Sequence, residues 1–303
     1  MVITAADLAV LMAAVATPYD DAGAVATPVL ATLVEDYVAR GVEGIYCCGS
    51  SGEGLLLTAD ERTAVVETAV AASDARIPVV AHVGALSTRE ATDLARRAER
   101  AGASAVSMIP PIYYSFGADA ILDHYRAVLD AVDLPLIIYN IPQFTGTEFN
   151  VDSAGALLAD PRVIGIKQTA HNMYALERMK AAFPAKAYIN GFDEVFVPAL
   201  AAGARGTIGT TVGLQVELFR AARGLLDAGD IGGAQRVQSR INHVISELVA
   251  VDVFPAAKYL SGRSARGAGS LGDCRMPFRT LSAADRVRLD RLAATLDDYL
   301  SDV

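Results

Sequence analysis

Val163-Ile164-Gly165-Ile166-Lys167-Gln168-Thr169 reads as a buried parallel strand, because a short β-branched run without polar alternation belongs in a sheet covered on both faces. It ends on a lysine. The chain holds only four lysines, at 167, 180, 186 and 258, so one at the end of an apolar strand is not surface filler by default. Desolvation there favours the free amine, a nucleophile toward a carbonyl, and the chemical reading is a Schiff-base lysine. The competing reading is a side chain that snorkels to water or pairs with a carboxylate.

Working outward, the same alternation of strand and helix fills the chain. Residues 8–16 are a candidate strand closed by Thr17-Pro18, and residues 28–40 carry Leu30, Leu33, Val34 and Val38 at helical spacing before Gly41. Residues 44–48 are a second strand running into Gly49-Ser50-Ser51-Gly52-Glu53-Gly54. Thr58 with Glu61, and Ser87 with Glu90, read as capping boxes that open two helices. Further strands are expected at 78–83, 105–109, 136–140, 187–190 and 206–209. Each is followed by a helix, the last of them over 215–227. Eight such units are the number that closes a (β/α)₈ TIM barrel. An open doubly wound sheet is the competitor, and the GxGxxG that would mark its first helix is missing. The barrel is expected over residues 1–228. Residues 229–303 are expected as a helical extension packed on it, with Val237, Ile241, Val244 and Ile245 on one stripe, Ser282 capping the last helix and a loop over 261–272.

Composition bounds the function. The 303 residues are 52% hydrophobic and 20% charged, as in a globular protein with a large core. A net charge of -9 and a pI near 5.0, with no basic patch, argue against nucleic acid and acidic membrane surfaces as partners. No signal peptide is visible, and the early apolar run over 8–16 is far short of the ~20 residues that span a bilayer. Three cysteines without CxxC spacing read as reduced structural thiols in a cytoplasmic protein. Cys47 and Cys48 alternate across a strand, so only one of them can face the barrel interior, and small core filler is the favoured reading.

Barrel chemistry sits at the C-terminal strand ends. That rim collects Gly49-Ser50-Ser51-Gly52, Tyr113-Tyr114, Tyr139, Lys167 with Thr169, Asp193-Glu194 and Thr210. A lysine, hydroxyls, a phenol and two carboxylates, without a metal cluster, describe a site that binds a carboxylate and a carbonyl and moves protons. Each member has a plainer reading. The Gly-Ser-Ser-Gly loop reads as a tight turn or as a nest of amides and hydroxyls for a carboxylate. Tyr139 reads as a phenol satisfied on a backbone carbonyl, and Asp193 and Glu194 as caps of the next helix. The histidines at 82, 124, 171 and 243 lack metal-site spacing, so core or surface roles are favoured.

Gly49-Ser50-Ser51-Gly52-Glu53, Tyr139-Asn140-Ile141-Pro142 and Gly165-Ile166-Lys167-Gln168-Thr169 together resemble the lysine-dependent pyruvate aldolases, the family containing N-acetylneuraminate lyase and dihydrodipicolinate synthase. The likeness runs from Thr17-Pro18 to Lys258. Ala81-His82-Val83-Gly84, Ile112-Tyr113-Tyr114, Asn190-Gly191-Phe192-Asp193-Glu194 and Val253-Phe254 are most similar to the neuraminate lyase branch. The resemblance implies that Lys167 forms the imine, Ser50 and Ser51 bind the adjoining carboxylate, and Tyr139 shuttles the proton. It implies that Tyr113 enters from a neighbouring subunit to complete a relay with Ser50 and Tyr139. Thr169, Gly191, Asp193, Glu194 and Thr210 would hold a sugar chain. It further implies a homotetramer, pyruvate and another small 2-oxo acid as ligands, and no metal or organic cofactor.

The departures are informative. Where the synthase branch has an arginine after Tyr-Asn-x-Pro, this chain has Gln143-Phe144-Thr145, and Phe144 cannot pair a carboxylate. Ser51 replaces a usual threonine, Thr210 a usual serine and Phe192 a usual tyrosine. His171-Asn172 stand where the lyases tend to have small residues and an aspartate. The expected activity is cleavage of a 2-oxo sugar acid, with N-acetylneuraminate leading. The alternatives are another pyruvate-dependent aldolase or dehydratase, and a barrel that binds a small acid without turning it over.

Overall fold

The computed structural model describes residues 2–264 and 268–303. Its strands are β1 (Leu11–Ala14), β2 (Gly44–Cys47), β3 (Val79–His82), β4 (Ala105–Met108), β5 (Leu136–Asn140), β6 (Val163–Gln168), β7 (Ala187–Asn190) and β8 (Gly206–Gly209). They pair in parallel in sequence order, and β8 pairs back onto β1 through Leu11↔Thr207, Met12↔Ile208 and Ala13↔Gly209. That last ladder closes the barrel and removes the open sheet as an alternative. Every strand residue is buried, which explains the apolar, non-alternating strand sequences.

Strand parity divides the core into two layers. Met12, Tyr46, Val80, Ala105, Ile137, Tyr139, Ala187, Ile189 and Ile208 cluster inside the barrel. Leu11, Ile45, Cys47, Ala81, Val106, Leu136 and Ile166 belong to the layer beneath the helices. Those helices are α1 (Thr27–Arg40), α2 (Ala59–Ser73), α3 (Thr88–Arg100), α4 (Ala118–Leu129), α5 (Pro142–Thr145), α6 (Val151–Leu158), α7 (Met173–Ala182), α8 (Phe196–Ala202) and α9 (Val212–Asp227). Beyond them lie α10 (Ile231–Val249), α11 (Val253–Ser264) and α12 (Ala283–Ser301). Leu248, Leu260, Leu289, Leu292 and Leu296 form a separate cluster with Leu214 of α9, which joins these last helices to the barrel.

Several local expectations change. The first strand is shorter than 8–16, because Thr4 and Asp7 bond each other and fold Ala5–Leu8 into a 3-10 turn, with Leu8 plugging the barrel interior. Thr58 and Glu61 form a complete capping box, whereas at Ser87 only the Glu90 amide is capped. Both cysteines of the pair lie in the outer layer, because Cys48 leaves the strand with φ +60 instead of alternating inward. Helix α9 starts at Val212 and is interrupted at Gln215, whose backbone is not helical. Helix α11 continues to Ser264 through the first part of the expected 261–272 loop, of which 265–267 lie outside the described residues. Ser282 caps α12 in a full box with Asp285, as its sequence implies.

Candidate active site

Barrel register sets the geometry. Tyr139 and Lys167 are Cα partners across β5 and β6, and Lys167 in turn faces Ile189 of β7. Lys167 is 4% exposed, so its side chain does not snorkel into bulk water. Among the described residues no carboxylate pairs with it and no hydrogen bond holds its Nζ. The amine lies over two aromatic faces instead, 4.0 Å from the Tyr139 ring centroid and 4.4 Å from that of Tyr46.

The amine opens on a cavity of about 220 Å³ lined by Ser50, Ser51, Tyr139, Lys167, Thr169, Gly191, Asp193, Glu194 and Thr210. Of the rim residues singled out from sequence, Gly49, Gly52, Tyr113 and Tyr114 do not line it. Tyr113 is 88% exposed on the loop after β4, with φ +80 and its ring edge-on to Tyr114. The opposite wall is apolar, with Phe144, Phe192, Ile245, Val249, Val253 and Phe254.

After β2 the loop turns tightly. The amides of Gly52, Glu53 and Gly54 are spent on the carbonyls of Gly49 and Ser50. Among the described residues those of Ser50 and Ser51 meet no protein acceptor, so two N–H groups and the Ser50 hydroxyl remain at the cavity edge as donors for an anion. Ser51 Oγ is 2.7 Å from Thr210 Oγ1, linking the β2 and β8 ends. The turn is held from outside. Glu53 is buried against Lys258 of α11 at 2.9 Å and accepts the Arg275 amide at 2.6 Å.

The Asp193 carboxylate does not cap the helix that follows it. One oxygen accepts from the Thr211 amide and hydroxyl, both at 2.8 Å, because β8 ends directly opposite. Burial pushes its pKa up to about 6, against the lowering effect of the two Thr211 bonds. Helix α10 holds this segment in place: Gln238 donates to the Asp193 carbonyl at 3.1 Å, and Asn242 to that of Glu194 at 3.1 Å. Thr169 Oγ1 is buried with no protein partner, aligned with the position where Gly191 would carry a side chain, so only glycine leaves that hydroxyl room. His171 stacks on Phe192 at 4.7 Å, 21° from parallel, and Asn172 caps α7 by accepting from the Ala175 amide.

Sequence reasoning missed Tyr46 and the α10 part of the wall; Val253-Phe254 of α11 are singled out by the sequence, and His82 is buried, one of the two roles expected of it. Parity could have placed Tyr46, which stands inside β2 on the interior-facing register. The α10 part of the wall had no local signal, since Ile245 and Val249 reach the cavity only through the packing of α10. His82, Arg62 and the β2 turn form a buried cluster: Arg62 donates to the carbonyls of His82 (2.5 Å) and Gly84 (3.1 Å). Burial, reinforced by Arg62 and Lys167, holds the His82 imidazole well below its usual range and therefore neutral.

Comparison with known proteins agrees with this architecture. Residues 7–296 match the model of the dihydrodipicolinate synthetase family. An N-acetylneuraminate lyase of Rhizobium meliloti (strain 1021) is 38% identical over 284 residues, covering 94% of each chain. One from Enterobacter sp. (strain 638) is 36% identical, covering 94% of this chain and 96% of its own. Among solved structures, a Ruminococcus gnavus sialic acid aldolase carrying a catalytic lysine mutation superposes with a TM-score of 0.94 at 27% identity, over 100% of this chain and 99% of its own. A Clostridium difficile protein in complex with mannosamine gives 0.89 at 30%, over 94% and 98%. With the barrel, the strand-end lysine and a match over nearly its whole length, this chain belongs to the dihydrodipicolinate synthetase family.

Proposed function

We propose that the chain is a class I aldolase that cleaves a 2-oxo sugar acid, N-acetylneuraminate foremost, to pyruvate and an aldehyde, N-acetylmannosamine. The observation that carries this reading is the environment of Lys167: a buried amine with neither ion pair nor hydrogen bond among the described residues, at the head of a cavity that offers anion donors on one side and hydroxyls and carboxylates on the other. The relatives' names supply the substrate. Under this reading the Lys167 amine adds to C2 of the 2-oxo acid and loses water, and the resulting protonated imine is the electron sink for carbon–carbon cleavage. Ser50 and Ser51 hold the C1 carboxylate. Tyr139 takes the proton from the C4 hydroxyl as the C3–C4 bond breaks and leaves an enamine; protonation of the enamine at C3 regenerates the imine, and water then releases pyruvate and the free amine.

Thr169, Gly191, Asp193, Glu194 and Thr210 hold the sugar chain under the same reading. Tyr113, too exposed to act in its own subunit, comes from a second copy in a homotetramer and completes the relay at Ser50. Reduced thiols at Cys47, Cys48 and Cys274 fit a cytoplasmic setting. Phe144 on the cavity wall offers nothing to a second carboxylate, which sets the synthase reaction behind the lyase.

Incubation with pyruvate and borohydride, followed by mass spectrometry, should place a reduced pyruvate adduct on Lys167. No adduct there would sink the mechanism and leave the binding-only barrel. A panel of 2-oxo sugar acids read by pyruvate release chooses the substrate. Turnover of N-acetylneuraminate above 2-oxo-3-deoxygluconate is expected, and the reverse order would reassign the enzyme among the pyruvate aldolases.

A further inference from the structure

Among the described residues, the reaction as proposed leaves the positive charge at Lys167 without a counter-ion from the protein, beyond the substrate's own C1 carboxylate. A buried cation is costly unless something compensates it. Here the groups nearest the amine are ring faces. Tyr139 is already occupied with proton transfer, but Tyr46 has no role in that scheme. It is fully buried beneath the amine, its centroid 4.4 Å from Nζ, well inside the ~6 Å range over which an aromatic face attracts a cation.

The ring is held firmly. Its hydroxyl donates to Ser107 Oγ of β4 at 3.1 Å, and burial raises the phenol well above its ordinary pKa, so it remains a neutral ring. A Cβ at Gly49 would stand 2.6 Å from the ring, so the first glycine of the β2 turn is what lets Tyr46 lie there. Tyr139 meets it edge-on at 6.1 Å, and His82 packs on both, 6.3 Å from Tyr46 and 5.8 Å from Tyr139. The charged or titratable groups around the nitrogen are therefore Tyr46 on β2, neutral His82 on β3 with Arg62 of α2 behind it, Tyr139 on β5, and Asp193 after β7, which is tied to Thr211. None is a carboxylate in contact with Nζ.

We propose that Tyr46 is a charge-stabilising residue of the lyase site, whose ring face keeps the imine nitrogen on Lys167 protonated. This rests on the Schiff-base reading and deepens it. Only the protonated imine accepts the electron pair of the breaking bond. In its neutral form the imine must lose a C3 proton, or a C–C bond, without that sink. A cation–π face favours the protonated form and so extends activity to higher pH.

The experiment follows exchange of the pyruvate methyl protons for deuterium, which requires the imine–enamine step alone, as a function of pH. Tyr46→Phe keeps the face and loses only the Ser107 bond. In that background 4-fluoro, 3,5-difluoro and 3,4,5-trifluorophenylalanine at 46 weaken the face with little change of shape. The Phe variant supplies the reference alkaline limb against which the fluorinated series is read. Successive fluorines should move that limb to lower pH, reaching about one pH unit, or about tenfold in exchange rate on the limb, for the trifluoro variant. An alkaline limb that stays put across the series while wild-type protein still traps pyruvate on Lys167 overturns the role of Tyr46 alone. Failure of the wild type to trap pyruvate removes the Schiff-base reading and the proposal with it.

Discussion

At the scale of single residues, Asp193 links charge to stability. Its pKa, raised to about 6 by burial, means that between roughly pH 4 and pH 6 the native state binds a proton that the unfolded chain has already released. The ionised carboxylate therefore costs the fold stability above pH 6, and that stability returns as the pH falls through 6 toward 4. Asp193→Asn, which can still accept from the Thr211 amide, should gain stability over the parent at pH 8 and lose the gain at pH 4. The change in ΔΔG across that window should be on the order of 3 kcal/mol by denaturant titration. A pH-independent difference would place the burial cost elsewhere. Under the proposed function the same residue would separate tail binding from imine chemistry. Asp193→Ala should lower turnover of the sugar acid much more than it lowers pyruvate trapping on Lys167, and equal loss of both would contradict its placement on the tail.

At the scale of elements, the β2 turn is shaped from inside by its glycines and fixed from outside by α11. Glu53 and Lys258 form a buried pair across 205 residues of chain, with Lys258 also donating to the Asp273 carbonyl at 3.0 Å and lying 3.9 Å over the Tyr19 ring. Removing one member strands the other without its counter-charge. Lys258→Met should therefore cost about 3–5 kcal/mol, seen as a lowered melting temperature, and Glu53→Gln added to it should restore a large part. A double variant no more stable than the single one would show that packing of the lysine stem, not charge, is what matters. Elements were also where sequence and structure agreed best. Residues 136–140, 187–190 and 206–209 are strands with the expected limits, and Thr58 and Ser282 cap as written, because caps and short apolar runs are decided by neighbours a few residues away. The disagreements arise where a side chain found a distant or unexpected partner: Asp193 turned from its own helix to Thr211, and Cys48 turned out of its strand.

At the scale of the whole molecule, the proposed entry of the exposed Tyr113 into a second copy's site would give an oligomer a catalytic consequence. If a second copy delivers it, Tyr113→Phe should lower kcat by about 10²-fold while leaving pyruvate trapping within about twofold. Specific activity should also fall on dilution in step with dissociation measured by sedimentation. An unchanged kcat would remove the neighbour from the relay. The tail belongs to the same scale. Helices α10 and α11 supply Ile245, Val249, Val253 and Phe254 to the cavity and hold the carbonyls of Asp193 and Glu194, so the extension forms part of the site and is not merely attached to the barrel.

The eight strand–helix units, the Gly-Ser-Ser-Gly turn and a lysine at the end of the sixth strand are all written in local patterns, since periodicity, turns and caps act over a few residues. From these alone the barrel and most of its rim could be read. The chain's order could not say that Tyr46 would lie under Lys167 or that α10 would line the cavity. Those juxtapositions join residues far apart in sequence and arise only when the closed barrel fixes strand register and a buried amine must be compensated by whatever the fold places beside it. Lys167 was visible from the start; its two aromatic faces, and the lack of a carboxylate partner among the described residues, were decided by the tertiary structure.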